Sequence, residues 1–364
     1  MKILFDHEIF YQQKYGGVSN YFFHLISGLI DKKISLKICS PIYKNYYLNN
    51  LPKKFVYGFY LEKYPYFANS FIKKINNFFS QRFVRHFKPQ IVHQTYYSND
   101  VYSNYNVKKI CTVYDLINEK FPSYFNNSNL ISKIKRTTIL NADHLICISQ
   151  KTKEDLIDFY KIKEDKISVI LLASSYKIKR NILKKKLFKN CLLFVGSRHG
   201  YKNFKNFIKA YSYSSFLKNN FKIIIYGGEK IGEQDFKIFK KYNIDLTKLI
   251  FLNDKSYNLK FVYQNVSALI YPSLYEGFGL PLLEAMSLGC PVISSNAGSL
   301  KEVGGEGLKY FNPFEFESII ETIESVLNSE KNINNLIEYG YQRAKSFSWA
   351  KCTMETARLY KNIL

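Results

Sequence analysis

The feature of this sequence that most limits its fold is a repeated alternation between short apolar runs and longer stretches with helical patterning. The apolar runs of strand length begin with KILF and LKICS and continue with KPQIVHQTYY, KKICTVYD, HLICIS and KISVI. A second series comprises CLLFVGS, FKIIIYGG, KLIFLND, SALIYPS and CPVISS. Strands that alternate with helices are typical of a parallel sheet with crossover helices. The sequence therefore predicts an α/β protein with two doubly wound, Rossmann-like domains that face each other across a cleft.

The boundaries of these domains follow from the stretch between the two series. ASSYKIKRNILKKKLFKN is rich in lysine and has no strong period, so it reads as a linker. We predict an N-terminal domain, a linker, a C-terminal domain and a terminal helix that crosses back to the N-terminal domain. Their bounds are residues 1–173, 174–190, 191–345 and 346–364.

The net charge and the lengths of the apolar runs indicate where in the cell the protein works. The net charge of +24 arises mainly from lysine and is open to two interpretations, a compositional drift or an anionic partner such as a membrane surface. No apolar run reaches the length of about 18 residues that spans a bilayer. MKILFDHEIF reads as an opening strand and not as a signal peptide. We expect a cytoplasmic protein, with peripheral contact at the inner face of the cytoplasmic membrane as an additional expectation.

The segment YEGFGLPLLEA places two carboxylates, Glu276 and Glu284, around a glycine turn that enters a helix. Pro281 suits the start of that helix, and we predict it to run from about Pro281 to Leu288. The N–H groups of residues 278–280 (Phe278, Gly279 and Leu280) then lie at the positive end of the helix dipole, which is a site for phosphate. Carboxylates beside a phosphate site accept hydrogen bonds from sugar hydroxyls, as they do with ribose. The segment predicts a site for phosphates and sugars together.

The loops that follow two other strands carry further candidates, because ligands of parallel sheets bind beyond the carboxyl ends of strands. Gly17 lies in the loop after KILF, just before a helix. Arg198 and Lys202 follow CLLFVGS and are predicted to contact a diphosphate, although a solvated basic loop is the alternative.

The sequence resembles a known protein family. YEGFGLPLLEAMSLGCPVISSNAGSLKEVGG resembles the signature of the retaining glycosyltransferases of family 4, which have the two-domain GT-B fold. FVGSRHGYKNFKNFIKAY, YGGVSNYF, TVYDLINEKFP and HLICISQKTKEDL lie in family order. The resemblance covers most of the chain and implies an acceptor-side N-terminal domain and a nucleotide-sugar-binding C-terminal domain.

The resemblance also implies roles for individual residues. Arg198 and Lys202 match the basic pair on the donor diphosphate, Glu284 matches the glutamate on the ribose, and Glu276 matches the glutamate near the donor sugar. The turn at residues 278–280 matches the backbone that meets sugar and phosphates, and Gly17 matches the loop that faces the diphosphate.

One departure from the family pattern concerns the residue credited with donor-sugar contact. Where many relatives have His-Asp after the strand KKICTV, this chain has Tyr114 and Asp115. Asp115 becomes the stronger catalytic candidate, and Tyr114 and His93 are secondary ones. We place His93 in the loop after KPQIV, although a lone histidine is more often structural.

The implied reaction moves a mannose-like or other hexose from a GDP- or UDP-linked donor to a glycan or lipid-linked acceptor, with retention of configuration. The TVYDLI and GSRHGYKN segments resemble the branch of the family that implies a bacterial surface polysaccharide, such as O-antigen or capsule, as the product. We expect no cofactor and no metal, since the chain contains no Asp-x-Asp. Two alternatives remain open: a non-catalytic nucleotide-sugar-binding homologue, and a basic nucleic-acid-binding protein. The latter does not explain carboxylates beside a phosphate-sized turn, so no nucleic-acid partner is expected.

The stretch FIKKINNFFSQRFVRHFK carries apolar side chains at helical spacing with basic residues among them. An ordinary crossover helix is one interpretation. The other is that its basic residues, with exposed phenylalanines, hold the N-terminal domain on an anionic membrane surface. The apolar residues are Ile72, Ile75, Phe79, Phe83 and Phe87, and the basic ones are Lys73, Lys74, Arg82, Arg85 and Lys88.

Overall fold

The computed structural model describes residues 1–65, 67–98, 102–125, 128–178 and 186–364. These residues form two compact units. Unit 1 comprises Met1–Leu172 and Ser348–Leu364, and unit 2 comprises Ala173–Phe347. Residues 179–185 of the predicted linker lie outside the described residues. The first strand of unit 2 begins at Phe188, so residues 188–190 of the predicted linker belong to the sheet.

Unit 1 is built on a parallel sheet with the strand order β3-β2-β1-β4-β5-β6-β7. The strands are β1 (Lys2–Phe5), β2 (Ser35–Tyr43), β3 (Val56–Tyr60), β4 (Ile91–Gln94), β5 (Lys108–Val113), β6 (His144–Cys147) and β7 (Ile167–Val169). The helices between them are α1 (Glu8–Gln12), α2 (Gly17–Asp31), α3 (Tyr46–Asn49), α4 (Asn69–Phe87), α5 (Ile117–Lys120), α6 (Ser128–Asn141) and α7 (Gln150–Tyr160).

Unit 2 is built on a second parallel sheet with the order β10-β9-β8-β11-β12-β13. Its strands are β8 (Phe188–Val195), β9 (Lys222–Tyr226), β10 (Leu249–Leu252), β11 (Val266–Tyr271), β12 (Val292–Ser295) and β13 (Lys309–Phe311). Its helices are α8 (Phe204–Tyr213), α9 (Ser215–Asn220), α10 (Glu233–Lys241), α11 (Leu259–Asn265), α12 (Leu280–Ser287), α13 (Leu300–Gly304), α14 (Phe316–Leu327) and α15 (Glu330–Ala344).

The last helix, α16 (Trp349–Ile363), packs in unit 1 against α2. The two helices approach closely at Gly28, where an added Cβ would lie 2.5 Å from the hydroxyl oxygen of Thr353. Any larger side chain at position 28 would therefore push α16 away. None of the helices in the described part of the chain combines the length and the hydropathy needed to cross a membrane.

The predicted α/β fold class is confirmed, and two strands that the sequence patterns did not predict are present. Strand β3 has the sequence VYGFY and is a partly exposed edge strand, so it lacks the compact apolar signature of the central strands. Strand β13 has only three residues, KYF. Both lie at sheet edges, where burial imposes the weakest pattern on the sequence.

Each sheet has one topological switch point, which is where successive crossovers depart in opposite directions. In unit 1 it lies between β1 and β4, and in unit 2 between β8 and β11. The loops that leave these paired strands at their carboxyl ends diverge and open a crevice, which is the general location of ligand sites in such sheets.

Helix α4 confirms the predicted helix but corrects its apolar face. The buried stripe consists of Ile72, Asn76, Ser80 and Val84, spaced four residues apart. Phe79, which was expected on the sheet-facing side, is 40 % exposed. The Asn76 side chain explains the shift, because it forms hydrogen bonds to both the N–H and the C=O of Ile42 at the bulge of β2.

Candidate functional site

The switch point of unit 2 brings Lys202 and Glu276 together from the two strands that flank it. Lys202 follows β8 in a 3₁₀ turn (Gly200–Lys202), and Glu276 lies in the loop after β11. The Lys202 ammonium donates to Glu276 Oε1 at 2.6 Å and to the Tyr271 hydroxyl at 3.1 Å. The hydroxyl of Ser273 donates to the same Glu276 oxygen at 2.6 Å. A charge-assisted hydrogen bond therefore spans the crevice.

Backbone contacts hold this pair in place. Asn203 donates through its side-chain amide to the carbonyl oxygens of Pro272 and Pro313, which ties the start of α8 to the segments that follow β11 and β13. The Leu274 N–H donates to the Tyr201 carbonyl at 2.7 Å. Ser299 binds the carbonyl oxygen of Glu276 through both its N–H and its hydroxyl. The loops after four strands, β8, β11, β12 and β13, are thus locked to one another, so Lys202 and Glu276 are preorganised.

Arg198 occupies the same crevice but has a buried carboxylate as its partner. Its Nε donates to Asp235 Oδ1 at 2.8 Å, and its Nη2 donates to Asp235 Oδ2 at 3.2 Å and to the Glu229 carbonyl at 2.7 Å. Burial works to raise the pKa of Asp235, but the hydrogen bond from Arg198 and that from Gly232 N–H outweigh it, and the pKa is lowered. Much of the charge of Arg198 is therefore neutralised within the protein.

The turn before α12 has the predicted form. Helix α12 begins at Leu280, with Pro281 in its first turn, and Gly279 is its N-cap. Gly279 has a φ of 100°, and a Cβ there would lie 2.7 Å from Leu300 Cδ2, so both conformation and space require glycine. Among the described residues, no hydrogen-bond acceptor takes the N–H groups of residues 278–280. These donors lie at the positive end of the helix dipole, where an anion is favoured.

Glu284 lies one turn inside α12 and is half-buried. Its Oε2 is 3.5 Å from the Tyr263 hydroxyl. Burial raises the pKa of Glu284 to about 7, and the contact with Tyr263 opposes this rise. A carboxyl group with so few partners is poised to accept hydrogen bonds from a ligand, which would restore its charge.

The predicted residues of unit 1 have different surroundings. Gly17 is exposed and is the first residue of the 15-residue helix α2, not part of the loop where the sequence placed it, and the short helix α1 lies between β1 and α2. Asp115 follows β5, accepts the Ile117 N–H at 3.0 Å and lies 3.7 Å from the Lys135 ammonium. Lys135 is itself buried and donates to Glu119 at 2.9 Å.

Tyr114 and His93 are packed inside unit 1. The Tyr114 hydroxyl donates to the Thr95 carbonyl, and its ring contacts those of Tyr21, Tyr96 and Tyr97. The expected loop position of His93 is wrong, because this residue lies within β4 and is fully buried. Its ring nitrogens contact the Tyr360 hydroxyl at 2.5 Å and Thr112 Oγ1 at 2.9 Å, and burial lowers its pKa to about 3. The strand that includes the end of KPQIV continues through His93 to Gln94, so His93 belongs to the sheet and not to the loop.

Sequence reasoning missed the partners of the predicted cations. Asp235 lies 37 residues after Arg198, and Tyr271 lies 69 residues after Lys202. A signal for Asp235 existed: Gly232 and Asp235 have the spacing of a helix N-terminus after an apolar strand, and a buried arginine requires a carboxylate. Ser273, three residues before Glu276, carried no comparable signal.

Comparisons with known proteins agree with this architecture. Residues 15–171 match the family model described as Glycosyltransferase Family 4, and residues 175–343 match the model described as Glycosyl transferases group 1. The O-antigen chain mannosyltransferase RfbU of Salmonella typhimurium is 29% identical over 243 residues, a region that spans 64% of this chain and 66% of that protein.

Solved structures show the same fold at lower identity. A sucrose-phosphate synthase from Thermosynechococcus elongatus has a TM-score of 0.77 at 17% identity, covering 100% of this chain and 98% of that one. Anabaena Alr3699/HepE, crystallised with UDP-glucose, has a TM-score of 0.74 at 14% identity and full coverage of both chains. Two doubly wound units, each matched by its own family model, account for nearly the whole sequence. The chain therefore belongs to the family 4 glycosyltransferases of the GT-B fold.

Proposed function

We propose that this protein is a retaining, metal-independent glycosyltransferase of bacterial surface-polysaccharide synthesis. It would transfer a mannose-like or other hexose from a GDP- or UDP-linked donor to a glycan or lipid-linked acceptor. Mannose and O-antigen are favoured because RfbU carries both in its name. A nucleotide donor is in keeping with HepE, which was crystallised with UDP-glucose.

The observation that supports this proposal most strongly is the combination at the β8/β11 switch point. A lysine from the loop after β8 meets a buried glutamate and a run of free backbone N–H groups from the loop after β11. Cations and amide donors suit a diphosphate, and carboxylates suit the hydroxyls of ribose and hexose. Nucleic-acid binding would account for the groups that suit phosphate but not for the carboxylates beside them.

The chemistry assigned to these groups is stabilisation of a leaving group. The bond between the anomeric carbon and the diphosphate oxygen breaks, and a bond to the acceptor oxygen forms on the same face. The acceptor proton passes to a donor phosphate oxygen. Lys202 and the N-terminus of α12 would stabilise the charge that develops on the nucleoside diphosphate. Glu276, held by Lys202 and Ser273, would orient the donor sugar, and Glu284 would hold the ribose.

A screen of nucleotide sugars tests this function. Wild-type protein is incubated with GDP- and UDP-linked hexoses, with and without EDTA, and release of the nucleoside diphosphate is measured. The proposal expects hydrolysis or transfer with one donor class, unaffected by EDTA. Glu276→Ala should retain nucleoside diphosphate binding and lose transfer. Loss of activity with EDTA that added divalent metal restores would contradict metal independence.

The same screen separates the two rival functions. A non-catalytic homologue would be stabilised by a nucleotide sugar in a thermal shift without releasing product. A nucleic-acid-binding protein would be stabilised by an oligonucleotide and not by UDP or GDP.

Helix α4 supplies a second proposal, that unit 1 docks on an anionic membrane surface. Four aromatic side chains on or just before this helix are exposed: Phe67 (87 %), Phe71 (66 %), Phe78 (52 %) and Phe79 (40 %). Lys74, Arg82 and Arg85 are exposed on the same helix. Lys73 does not belong to this surface, since its ammonium lies 4.0 Å from the buried Glu8. Several basic residues at about 1 kcal/mol each suffice for reversible binding to anionic lipid.

Liposome co-sedimentation checks this proposal. Wild type should bind phosphatidylglycerol-containing vesicles at low salt and dissociate as salt rises, because the attraction is screened. A Lys74→Gln/Arg82→Gln/Arg85→Gln variant should lose this binding. A matched control, Lys163→Gln/Lys237→Gln/Lys205→Gln, removes the same charge from exposed positions elsewhere. Equal binding by both triple variants would leave α4 as an ordinary crossover helix.

A further inference from the structure

The switch point of unit 1 contains a cavity that the roles assigned above do not use. The cavity has a volume of about 390 Å³, within the range of small-molecule sites. It is lined by residues that follow three adjacent strands: Gln12 on α1 after β1, Lys44 directly after β2, and Tyr96 and Tyr97 after β4. The crevice between β1 and β4 is where this sheet topology places a ligand.

A buried hydrogen-bond network builds the floor of this crevice. Asp6 Oδ1 accepts the Thr95 N–H at 2.8 Å and the Thr95 hydroxyl at 2.5 Å, which ties the end of β1 to the end of β4. Glu8 is 1 % exposed, and its Oε2 accepts from the Gln12 amide at 2.9 Å. The other oxygen of Glu8 has no hydrogen-bond partner. This unsatisfied oxygen lies 4.0 Å from the Lys73 ammonium, and both Lys73 and Gln12 line the cavity.

Two lysines make the cavity positively charged. The Lys73 ammonium lies 4.0 Å from Glu8 Oε1, beyond hydrogen-bond distance. Burial raises the pKa of Glu8 to about 8, the nearby Asp6 adds to the rise, and the Lys73 charge opposes it. The Lys44 ammonium lies 5.0 Å from the Tyr64 ring centroid, and no carboxylate pairs with it in the described part of the chain. No acidic residue is among those that line the cavity.

The other walls suit a sugar ring. Tyr96 and Tyr97 pack against each other with ring centroids 4.9 Å apart, and both contact Tyr114. Tyrosine presents an apolar face and a polar tip, which suits the apolar face and hydroxyl rim of a hexose. Asn69 and Gln12 add amide groups that bind hydroxyls.

We propose that this cavity binds the phosphate-bearing sugar end of the acceptor, with Lys44 and Lys73 on the phosphate and Tyr96 and Tyr97 against the sugar. This assignment rests on the proposed function, since it names the acceptor class of the same reaction. Lys44, with no carboxylate partner among the described residues, and Lys73, 4.0 Å from Glu8, in a cavity without acidic lining residues fit a glycosyl phosphate or diphosphate better than a neutral glycan. This chain has Tyr114 where many relatives have histidine. The Tyr114 ring contacts Tyr96 and Tyr97, so it supports the side of the cavity that these two tyrosines form.

Calorimetric titration of the full chain tests the proposal. UDP and GDP are present in excess so that a donor site is filled, and mannose 1-phosphate is compared with mannose. Wild type should bind mannose 1-phosphate at least about tenfold more tightly than mannose, because charge-assisted contacts need the phosphate. Lys44→Gln and Lys73→Gln should each weaken mannose 1-phosphate about tenfold, and Lys163→Gln, which removes an exposed lysine of unit 1, should not.

A second arm separates free sugar phosphates from lipid-linked ones. A geranyl diphosphate-linked mannose should bind wild type at least as tightly as mannose 1-phosphate and lose affinity in the same two variants. Binding of mannose 1-phosphate alone would overturn the acceptor assignment. Sugar-phosphate affinity that neither lysine variant changes would overturn the site.

Nucleotide affinity, measured on the same variants, keeps the two proposals apart. If UDP and GDP bind normally but the lysine variants do not affect sugar phosphate, this inference fails and the proposed function stands. If neither nucleotide binds wild type while sugar phosphate binding depends on Lys44 and Lys73, the proposed function fails and the cavity remains a sugar-phosphate site.

Discussion

The two switch points have the same place in their sheets but opposite arrangements of charge. In unit 2, Lys202 lies 2.6 Å from Glu276 and Arg198 lies 2.8 Å from Asp235, so both cations have carboxylate partners. In unit 1, the Lys73 ammonium lies 4.0 Å from Glu8, and the Lys44 ammonium lies over the Tyr64 ring without a carboxylate partner in the described part of the chain. Paired charges hold donors rigidly for charge that develops during a reaction. Less satisfied cations instead attract a ligand whose charge is permanent.

The largest effect is expected from Arg198→Ala, because it leaves the Asp235 carboxylate, 1 % exposed, without its partner. We expect the free energy of unfolding of unit 2 to fall by about 3–5 kcal/mol. Urea unfolding, followed through hydrogen exchange of the α10 amides, measures this. Lys237→Ala on the exposed face of α10 is the control, and adding Asp235→Ala to Arg198→Ala should regain part of the loss. A change within about 0.5 kcal/mol would show that the pair is not structural.

The second-largest effect is expected on kcat when Lys202, the cation paired with Glu276, is substituted. A charge-assisted contact to the leaving diphosphate is worth about 1.5–3 kcal/mol, so Lys202→Ala should lower kcat by roughly tenfold to a hundredfold. Lys205→Ala removes an exposed lysine three residues further on and should leave kcat unchanged. Equal kcat values for Lys202→Ala and wild type would remove this residue from the reaction. Steady-state assays with the donor found in the screen give both values.

The smallest effect is a pH dependence of donor affinity that comes from Glu284. Its pKa is raised to about 7, and in the proposed role the ionised form accepts hydrogen bonds from the ribose hydroxyls. Affinity should therefore be nearly full at pH 8, fall as the pH passes through 7, and be about tenfold lower at pH 6. A nucleotide sugar is the right probe because its diphosphate ester does not titrate in this range. Glu284→Gln should bind weakly with a flat profile; the same slope in both proteins would assign the titration elsewhere.

The sequence predicted the parts of the structure that burial and turn chemistry dictate. Central strands and the turn from Gly279 into α12 followed from compact apolar runs and from Pro281. Edge strands such as β13, with three residues, left too little pattern to detect. The charge partners could not be predicted, because Arg198 and Asp235 meet only after two strands become neighbours. The cavity at Lys44 was missed for the same reason, since its residues come from separate loops.

The central claim is that the nucleotide binds at the switch point of unit 2 and the acceptor at the switch point of unit 1. Mapping nucleotide binding by amide hydrogen exchange tests this claim most directly. Wild-type protein is exchanged with and without saturating UDP or GDP. We expect slower exchange at residues 276–284 and 196–203, and much smaller changes at residues 8–12 and 96–97. Protection confined to residues 8–12 and 96–97, with none around Lys202 and Glu276, would contradict it.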